Sequence, residues 1–287
     1  MTYTNNTIEE PLVSVIVPLH NMRHYLEECI DSAASSTYSN IEIVVVDDGS
    51  TDDSLVLAYA LAEKWKRRCP VTVIHQQNKG VSAARNTAIA NSRGTFILPL
   101  DGDDKIAPDF IEKAVSELIK DSQVTVVVPK AELFGEKSGE WVLPEFSLKL
   151  LARKNIVCAT ALYRKTDWEN AGGYCEGFNG FEDWDFWISM LKNGGRVVKL
   201  DSIGFYYRRR KNSKRSLDRK FKKEMIRMLN ERHSDFFEST LGGPLRLHRS
   251  LSRIINTLNN LKNRMVPGYL TLNQRVQLTK ENKQWAQ

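Results

Sequence analysis

The sequence predicts an α/β fold: a mixed, mostly parallel central sheet flanked by helices, followed by a C-terminal helical extension. Two observations predict it. Short β-branched runs alternate with stretches of helical spacing over about the first 128 residues, the pattern of strands joined by crossover helices. The runs end in polar clusters, LHN, DDGSTDD, QQNKG and DGDD. Ligands of parallel sheets bind beyond the carboxyl ends of the strands, so these four loops share one rim.

Val13–Val17 is the first strand, closed by Pro18, which cannot donate to a ladder. Leu26, Ile30, Ala33 and Ala34 then recur at helical spacing. Ile41–Val46 is a second buried strand, and Leu55, Ala58, Tyr59, Ala62 and Trp65 form the stripe of the helix after it. Val71–His75 precedes a helix from Val81 to Asn91, and Phe96–Leu100 precedes one over Phe110–Leu118. After Val124–Val128 the alternation loosens. SGEW reads as a hairpin turn and Cys158–Tyr163 as a strand; AGGYCEGFNGFEDWDFW reads as a glycine- and aromatic-rich loop entering a helix near Glu182. Val197–Tyr207 is the last strand. Helices follow Leu217, with Gly242-Gly243-Pro244 separating a second basic helix, Leu245–Leu261.

A chain of 287 residues with 41% hydrophobic content can bury a large core. No apolar run reaches the roughly 18 residues of a membrane span, and MTYTNNTIEE lacks the regions of a signal peptide, which predicts a cytoplasmic protein. Cys29, Cys69, Cys158 and Cys175 form no C-x-x-C pair and are expected as buried free thiols. The net charge of +6 hides an asymmetry, because 20 Lys/Arg face 6 Asp/Glu from Arg208 onward while the part before is net acidic. Leu245, Leu247, Leu251, Ile254, Ile255 and Leu258 mark an apolar stripe in this tail, flanked by Arg246, Arg249 and Arg253. Such a helix suits peripheral contact with an anionic membrane; docking on the α/β domain, or on a second subunit of a homo-oligomer, is the alternative.

The acidic loop is the chemical centre. FILPLDGDD delivers Asp101, Asp103 and Asp104 to the mouth of the sheet, and like charges so close call for a cation or a proton among them. A helix-capping turn before Pro108 is the plainer reading of these nine residues alone.

Taken together, VSVIVPLHN, VVVDDGSTD, NKGVSAARN, LPLDGDD, GGY…FEDWDFW and YYRRRKNS resemble, in order and spacing, a family 2 glycosyltransferase of the GT-A, Rossmann-like fold. The likeness covers about residues 12–215. It implies a GT-A domain over 1–215, with a nucleotide-binding half at about 12–128 and an acceptor half at about 129–215, and a basic extension over 216–287. It further implies that Pro18, His20, Asn21 and Asp48 form a uracil pocket, with Asp48 accepting from the imide N–H. Arg85 would reach the sugar-nucleotide, assisted by Lys79. Asp101 and Asp103 would hold the donor, and with Asp104 a divalent cation, Mn²⁺ or Mg²⁺, which favour oxygen ligands. Asp183 would be the general base, oriented by Glu182, with Trp184 near the acceptor sugar. Asp185, equally acidic but off the motif, should be dispensable for base catalysis. Where many members carry a His near the diphosphate, this chain has Arg210, followed by Ser213; a guanidinium pairs with diphosphate but cannot ligate a metal.

The implied activity is inverting transfer of a hexosyl or N-acetylhexosaminyl group from a UDP-sugar to a hydroxyl of a glycan or lipid-linked acceptor, without nucleic acid. A sugar-nucleotide nucleotidyltransferase is a second enzyme class, but PLHNMRHY is not the glycine-rich phosphate loop it would need. A non-catalytic glycan-binding relative is the third, opposed by the full set Asp101, Asp103, Asp104 and Asp183.

Overall fold

The computed structural model describes residues 10–210 and 218–265. In chain order it contains β1 (Val13–Leu19), α1 (Leu26–Ala34), β2 (Ile41–Asp48), α2 (Ser54–Trp65), β3 (Val71–Gln76), α3 (Val81–Ala90), β4 (Phe96–Pro99), β5 (Lys105–Ile106), α4 (Phe110–Lys120) and β6 (Val124–Gly135). There follow β7 (Gly139–Trp141), α5 (Leu148–Leu151), β8 (Leu162–Arg164), α6 (Lys165–Ala171), α7 (Glu182–Leu191), β9 (Arg196–Arg209), α8 (Asp218–Arg232), α9 (Ser234–Leu241) and α10 (Ser252–Met265).

One sheet runs β3-β2-β1-β4-β8-β6-β9-β5, with β7 on β6. The first four strands are parallel; β8 enters antiparallel between β4 and β6, and β9 lies parallel to β6. β1 and β2 are buried along their whole length, which is why both read as continuous apolar runs. α1 and α4 cover one face, α4 burying Phe110, Ile111, Ala114, Val115 and Leu118 at helical spacing. α3 and α7 cover the other, with Trp184, Phe186, Trp187 and Tyr163 among its bulkiest side chains.

Several local expectations change. β1 continues through Pro18 to Leu19; its pairing with β4 has already stopped at Ile16↔Pro99, so the missing N–H is tolerated there. Tyr59 is 55% exposed, and α2 buries Ser54, Ala58 and Leu61 instead. The hairpin turn lies at residues 136–138, and Gly139–Trp141 is itself a strand. β8 starts only at Leu162. The last helix starts at Ser252, because Leu245–His248 is irregular and Arg249–Leu251 forms a single 3₁₀ turn. The four cysteines are free thiols as expected, with Cys29, Cys69 and Cys158 buried.

Two close approaches explain sequence choices. Glu42, inside the second strand, is held by Ser14 Oγ at 2.7 Å and by the backbone N and Nε of Arg93 at 2.6 and 3.0 Å. A Cβ on Gly94 would stand 2.4 Å from Ser14 Oγ, so only glycine fits beside this buried charge. No helix among the described residues is long and apolar enough to cross a membrane.

Candidate active site

The loops after β1 and β2 are stapled together. Asn21, in the left-handed region at φ 54°, accepts on Oδ1 from Thr51 N at 2.8 Å, and its own N–H donates to Ser50 Oγ at 3.0 Å. His20 Nδ1 donates to the Asp48 carbonyl at 2.9 Å, and the ring stays exposed toward Asn78. Pro18 is buried in the strand and offers the rim only its backbone. Asp48 is 4% exposed and accepts from Gln76 Nε2, Lys79 N and Gly80 N, each at 2.8 Å. The expected imide acceptor therefore serves chiefly to hold the loop after β3, with one lone pair to spare. Lys79 takes part through its backbone, not its ammonium group.

Arg85 is not the surface cation that a lone helical Arg usually is. It is 2% exposed, its Nη2 lies 2.7 Å from Asp101 Oδ1, and its Nη1 lies 3.7 Å from Glu182 Oε1. The guanidinium also sits 5.4 Å from the Tyr174 ring centroid. Asp101 and Glu182 hold it firmly charged against the burial that opposes this. Its Nε and Nη1 are buried without a hydrogen-bond partner.

The three acids of the β4–β5 loop each have a positive or N–H partner. Asp101 has Arg85, Asp103 has Arg210 Nη2 at 2.7 Å, and Asp104 accepts from Arg208 N at 2.8 Å. Arg208 Nε donates to the Asp103 carbonyl at 2.7 Å, so β9 closes the loop from the far side. Asp104 is 2% exposed; burial first, then Asp103 and Asp101, push its carboxyl well above the usual carboxylate range. Burial and Asp101 likewise raise Asp103 against the pull of Arg210. Among the described residues no three His, Cys, Asp or Glu side chains converge as a ready-made metal cage. The loop fits a cation of the other kind, bound by one or two carboxylates and completed by substrate phosphates. Asp101 and Asp103 are suited to this, because each is bonded to its Arg through one oxygen.

Glu182 and Asp183 open α7 behind Phe181, a non-glycine residue at φ 64°. Asp183 Oδ2 accepts from Asn155 Nδ2 at 2.8 Å and Oδ1 from Trp184 N at 2.8 Å. Burial first and Glu182 second push its carboxyl up to about 7, with Arg85 pulling the other way. A carboxylate with this pKa is poised to take a proton near neutral pH. The glycine-rich loop is held to α3: Asn86 Nδ2 donates to the Tyr174 carbonyl at 2.8 Å and Asn86 Oδ1 accepts from Tyr174 N at 2.9 Å.

Three expectations need correction or addition. Trp184 is 1% exposed and its Nε1 donates to the Leu151 carbonyl at 2.7 Å, so it is a core residue and cannot meet an acceptor sugar. Asp185 is fully buried and accepts from Arg232 Nε and His233 Nε2, both at 2.8 Å, so it ties the C-terminal helices to α7, a structural role that its place off the motif did not foretell. The stripe expected in the tail is divided: Leu245 is 2% exposed within the core and Ile255 half-buried, whereas Leu247, Leu251, Ile254 and Leu258 are all at least 45% exposed. Ser213 lies outside the described residues. Asn155 and Asn86 escaped sequence reasoning. Asn155 lies in an irregular stretch with no motif, whereas Asn86 stood within NKGVSAARN and could have been suspected.

An acidic loop tied by one buried guanidinium to the residue beside a raised-pKa carboxylate has the makings of a group-transfer site. The profile of glycosyl transferase family 2 matches residues 14–183, more than half of the chain, and the protein belongs to that family. It is 33% identical over 219 residues to the uncharacterized glycosyltransferase EpsJ of Bacillus subtilis, covering 71% of this chain and 62% of that one. It is 29% identical over 189 residues to a chondroitin synthase of Escherichia coli, covering 64% of this chain and 27% of that one. The chain thus spans less than two thirds of the length of these relatives. Among solved structures, residues 1–349 of S. aureus TarS in complex with UDP-GlcNAc align with a TM-score of 0.68 at 24% identity, over 84% of this chain and 74% of that one. A mannosyltransferase of Pyrobaculum calidifontis in complex with GDP-Man and Mn²⁺ aligns at 0.65 and 18%, over 97% and 81%. These likenesses establish the GT-A fold.

Proposed function

We propose that the protein moves a sugar from a nucleotide-sugar, a UDP-sugar, to a hydroxyl of a glycan or lipid-linked acceptor by single displacement. The observation that carries this reading is the chain Asp101–Arg85–Glu182, which ties the acidic loop to the residue beside the raised-pKa Asp183. The solved structures holding UDP-GlcNAc and GDP-Man support a nucleotide-sugar donor, and the chondroitin synthase supports a polysaccharide product.

The base sits against the loops after β1 and β2, over His20 and beside Asn21, on a floor fixed by Asp48. Asp101 and Asp103 face the diphosphate. Asp101 and Asp103 would hold a divalent cation, which would supply charge neutralisation for the leaving diphosphate; the mannosyltransferase structure with Mn²⁺ supports such a cation. Arg85 and, in the place of the usual His, Arg210 pair with diphosphate oxygens. Asp183, held on both oxygens, takes the acceptor hydroxyl proton as the nucleophile attacks. One base and no covalent intermediate give inversion at the anomeric carbon. Glu182, beside Arg85, keeps that charge from neutralising the base.

Hydrolysis of a panel of nucleotide-sugars with and without Mn²⁺ tests the reading. Metal-dependent turnover of a UDP-sugar is expected; turnover of none, with no thermal response to any nucleotide, overturns it.

A further inference from the structure

α10 is amphipathic the wrong way round for a helix docked on a domain. Its polar side faces the protein. Asn256, 2% exposed, donates to the carbonyls of Leu241 at 3.3 Å and Pro244 at 3.0 Å and accepts from Arg246 Nε at 3.1 Å. Ser252, fully buried, accepts from Arg246 N at 2.9 Å, and Asn260 donates to the Gly242 carbonyl at 3.0 Å. The apolar side faces away. Leu251, Ile254, Leu258 and Leu261 are 45%, 58%, 60% and 45% exposed, and their spacing of three, four and three puts them on one face. Leu247, 46% exposed, lies just before them in the chain. Such a row left in water is costly unless something covers it.

The charges select the cover. From Ser239 to Lys280 the sequence has seven Lys/Arg and no Asp or Glu. A second copy packed row to row would bring two α10 helices together, each carrying Arg253, Lys262 and Arg264 in its sequence and no carboxylate. An anionic bilayer accepts both the row and the cations. We infer that α10 and the turn before it form a peripheral anchor seated in the interface of an anionic lipid bilayer.

The anchor adjoins the base. Arg249, between Leu247 and Leu251, lies over the rings of Trp184 at 5.5 Å and Phe181 at 6.0 Å, which bracket Glu182 and Asp183. Seating the row therefore brings the lipid surface up to the start of α7. Resting on the transferase reading above, this selects the lipid-linked class of acceptor over a soluble glycan.

Flotation of the full chain tests the anchor without reference to catalysis. Vesicles of phosphatidylcholine with about 30% phosphatidylglycerol should carry the protein at least about tenfold better than phosphatidylcholine alone, with the difference shrinking in high salt. Ile254→Asp with Leu258→Asp should fall to the neutral-vesicle level while keeping the melting temperature and any UDP-sugar hydrolysis in solution. No flotation with the anionic vesicles overturns the inference, as does a double variant that floats like the parent. A dimer in sedimentation that the double substitution dissociates, without flotation of the parent, assigns the row to a second copy and also overturns it. An absence of nucleotide-sugar hydrolysis, together with no thermal response to any nucleotide, would overturn the transferase reading and leave the flotation result standing.

Discussion

Asn155 Nδ2 stands 2.8 Å from Asp183 Oδ2, and through this bond a residue of an irregular stretch fixes one oxygen of the proposed base. A donor to a carboxylate favours its charged form. Asn155→Ala should therefore raise the Asp183 pKa further, moving the acid limb of the pH–rate profile up by about half to one unit. Turnover at pH 7 should drop several-fold with the donor KM unchanged. An unmoved profile would show that Asn155 does not tune the base.

Asp183→Asn keeps an acceptor for only one of the two N–H donors, Asn155 Nδ2 or Trp184 N, and cannot take a proton. Turnover should fall by about 10²–10⁴, with Mn²⁺-dependent UDP affinity kept within about twofold. Stability gives a second readout. The unfolded chain loses this proton above its ordinary carboxylate range, whereas the native state keeps it up to about pH 7. Native protein thus binds more protons in that window, and the residue's contribution to stability falls as pH rises through it. The variant should be more stable than the parent at pH 8 by on the order of 1–3 kcal/mol, the gain disappearing near pH 4. Paired urea titrations at the two pH values measure this.

Among the described residues Arg85 is the ion-pair partner of both Asp101 and Glu182, and it is 2% exposed. Arg85→Met should strand Glu182 while the more exposed Asp101 rehydrates, costing about 2–4 kcal/mol. A melting temperature lower by roughly 5–10 °C is expected, along with loss of UDP binding. Arg85→Lys should restore stability in part and not binding, since an ammonium group cannot reproduce the guanidinium fork.

Asp185 tests the attachment of the C-terminal helices. Asp185→Ala removes the acceptor of both Arg232 and His233 from a fully buried position, at a cost of about 3–5 kcal/mol. Limited proteolysis should then cut between β9 and α9 well before the sheet opens. Resistance equal to the parent's would mean that apolar packing alone, through Phe236, Phe237 and Leu241, holds the attachment.

What could be read from the chain followed from how local the cause was. The parallel half was legible because strands buried on both faces must be apolar throughout, and their polar ends must then be loops. Asp101, Asp103, Asp104 and Asp183 were legible because short acidic motifs keep their spacing. Trp184 was misjudged because an aromatic beside a catalytic motif resembles a sugar platform, whereas its neighbours in space, such as Leu151, come from a separate segment. The structural role of Asp185 was missed for the same reason: its partners stand 47 and 48 positions later. Asn155 carried no sequence signal at all, because its value depends only on where α7 starts. The outward row of α10 could be seen as a stripe, but only packing through Asn256 shows which way it faces.

The closing of the acidic loop by β9 bears on the order in which the protein is made. Asp104 and the backbone N–H of Arg208 that it accepts from are 104 residues apart. A ribosome finishes β1 to β4, and with them Arg85 and Asp101, long before β9 emerges. During that interval Asp103 and Asp104 lack their partners from residues 208–210 and must stay hydrated or protonated. The donor-side loop of a nascent chain is thus unfinished until the strand that follows the proposed base has been added, so a chain arrested before it should fold a sheet whose acidic loop is still open.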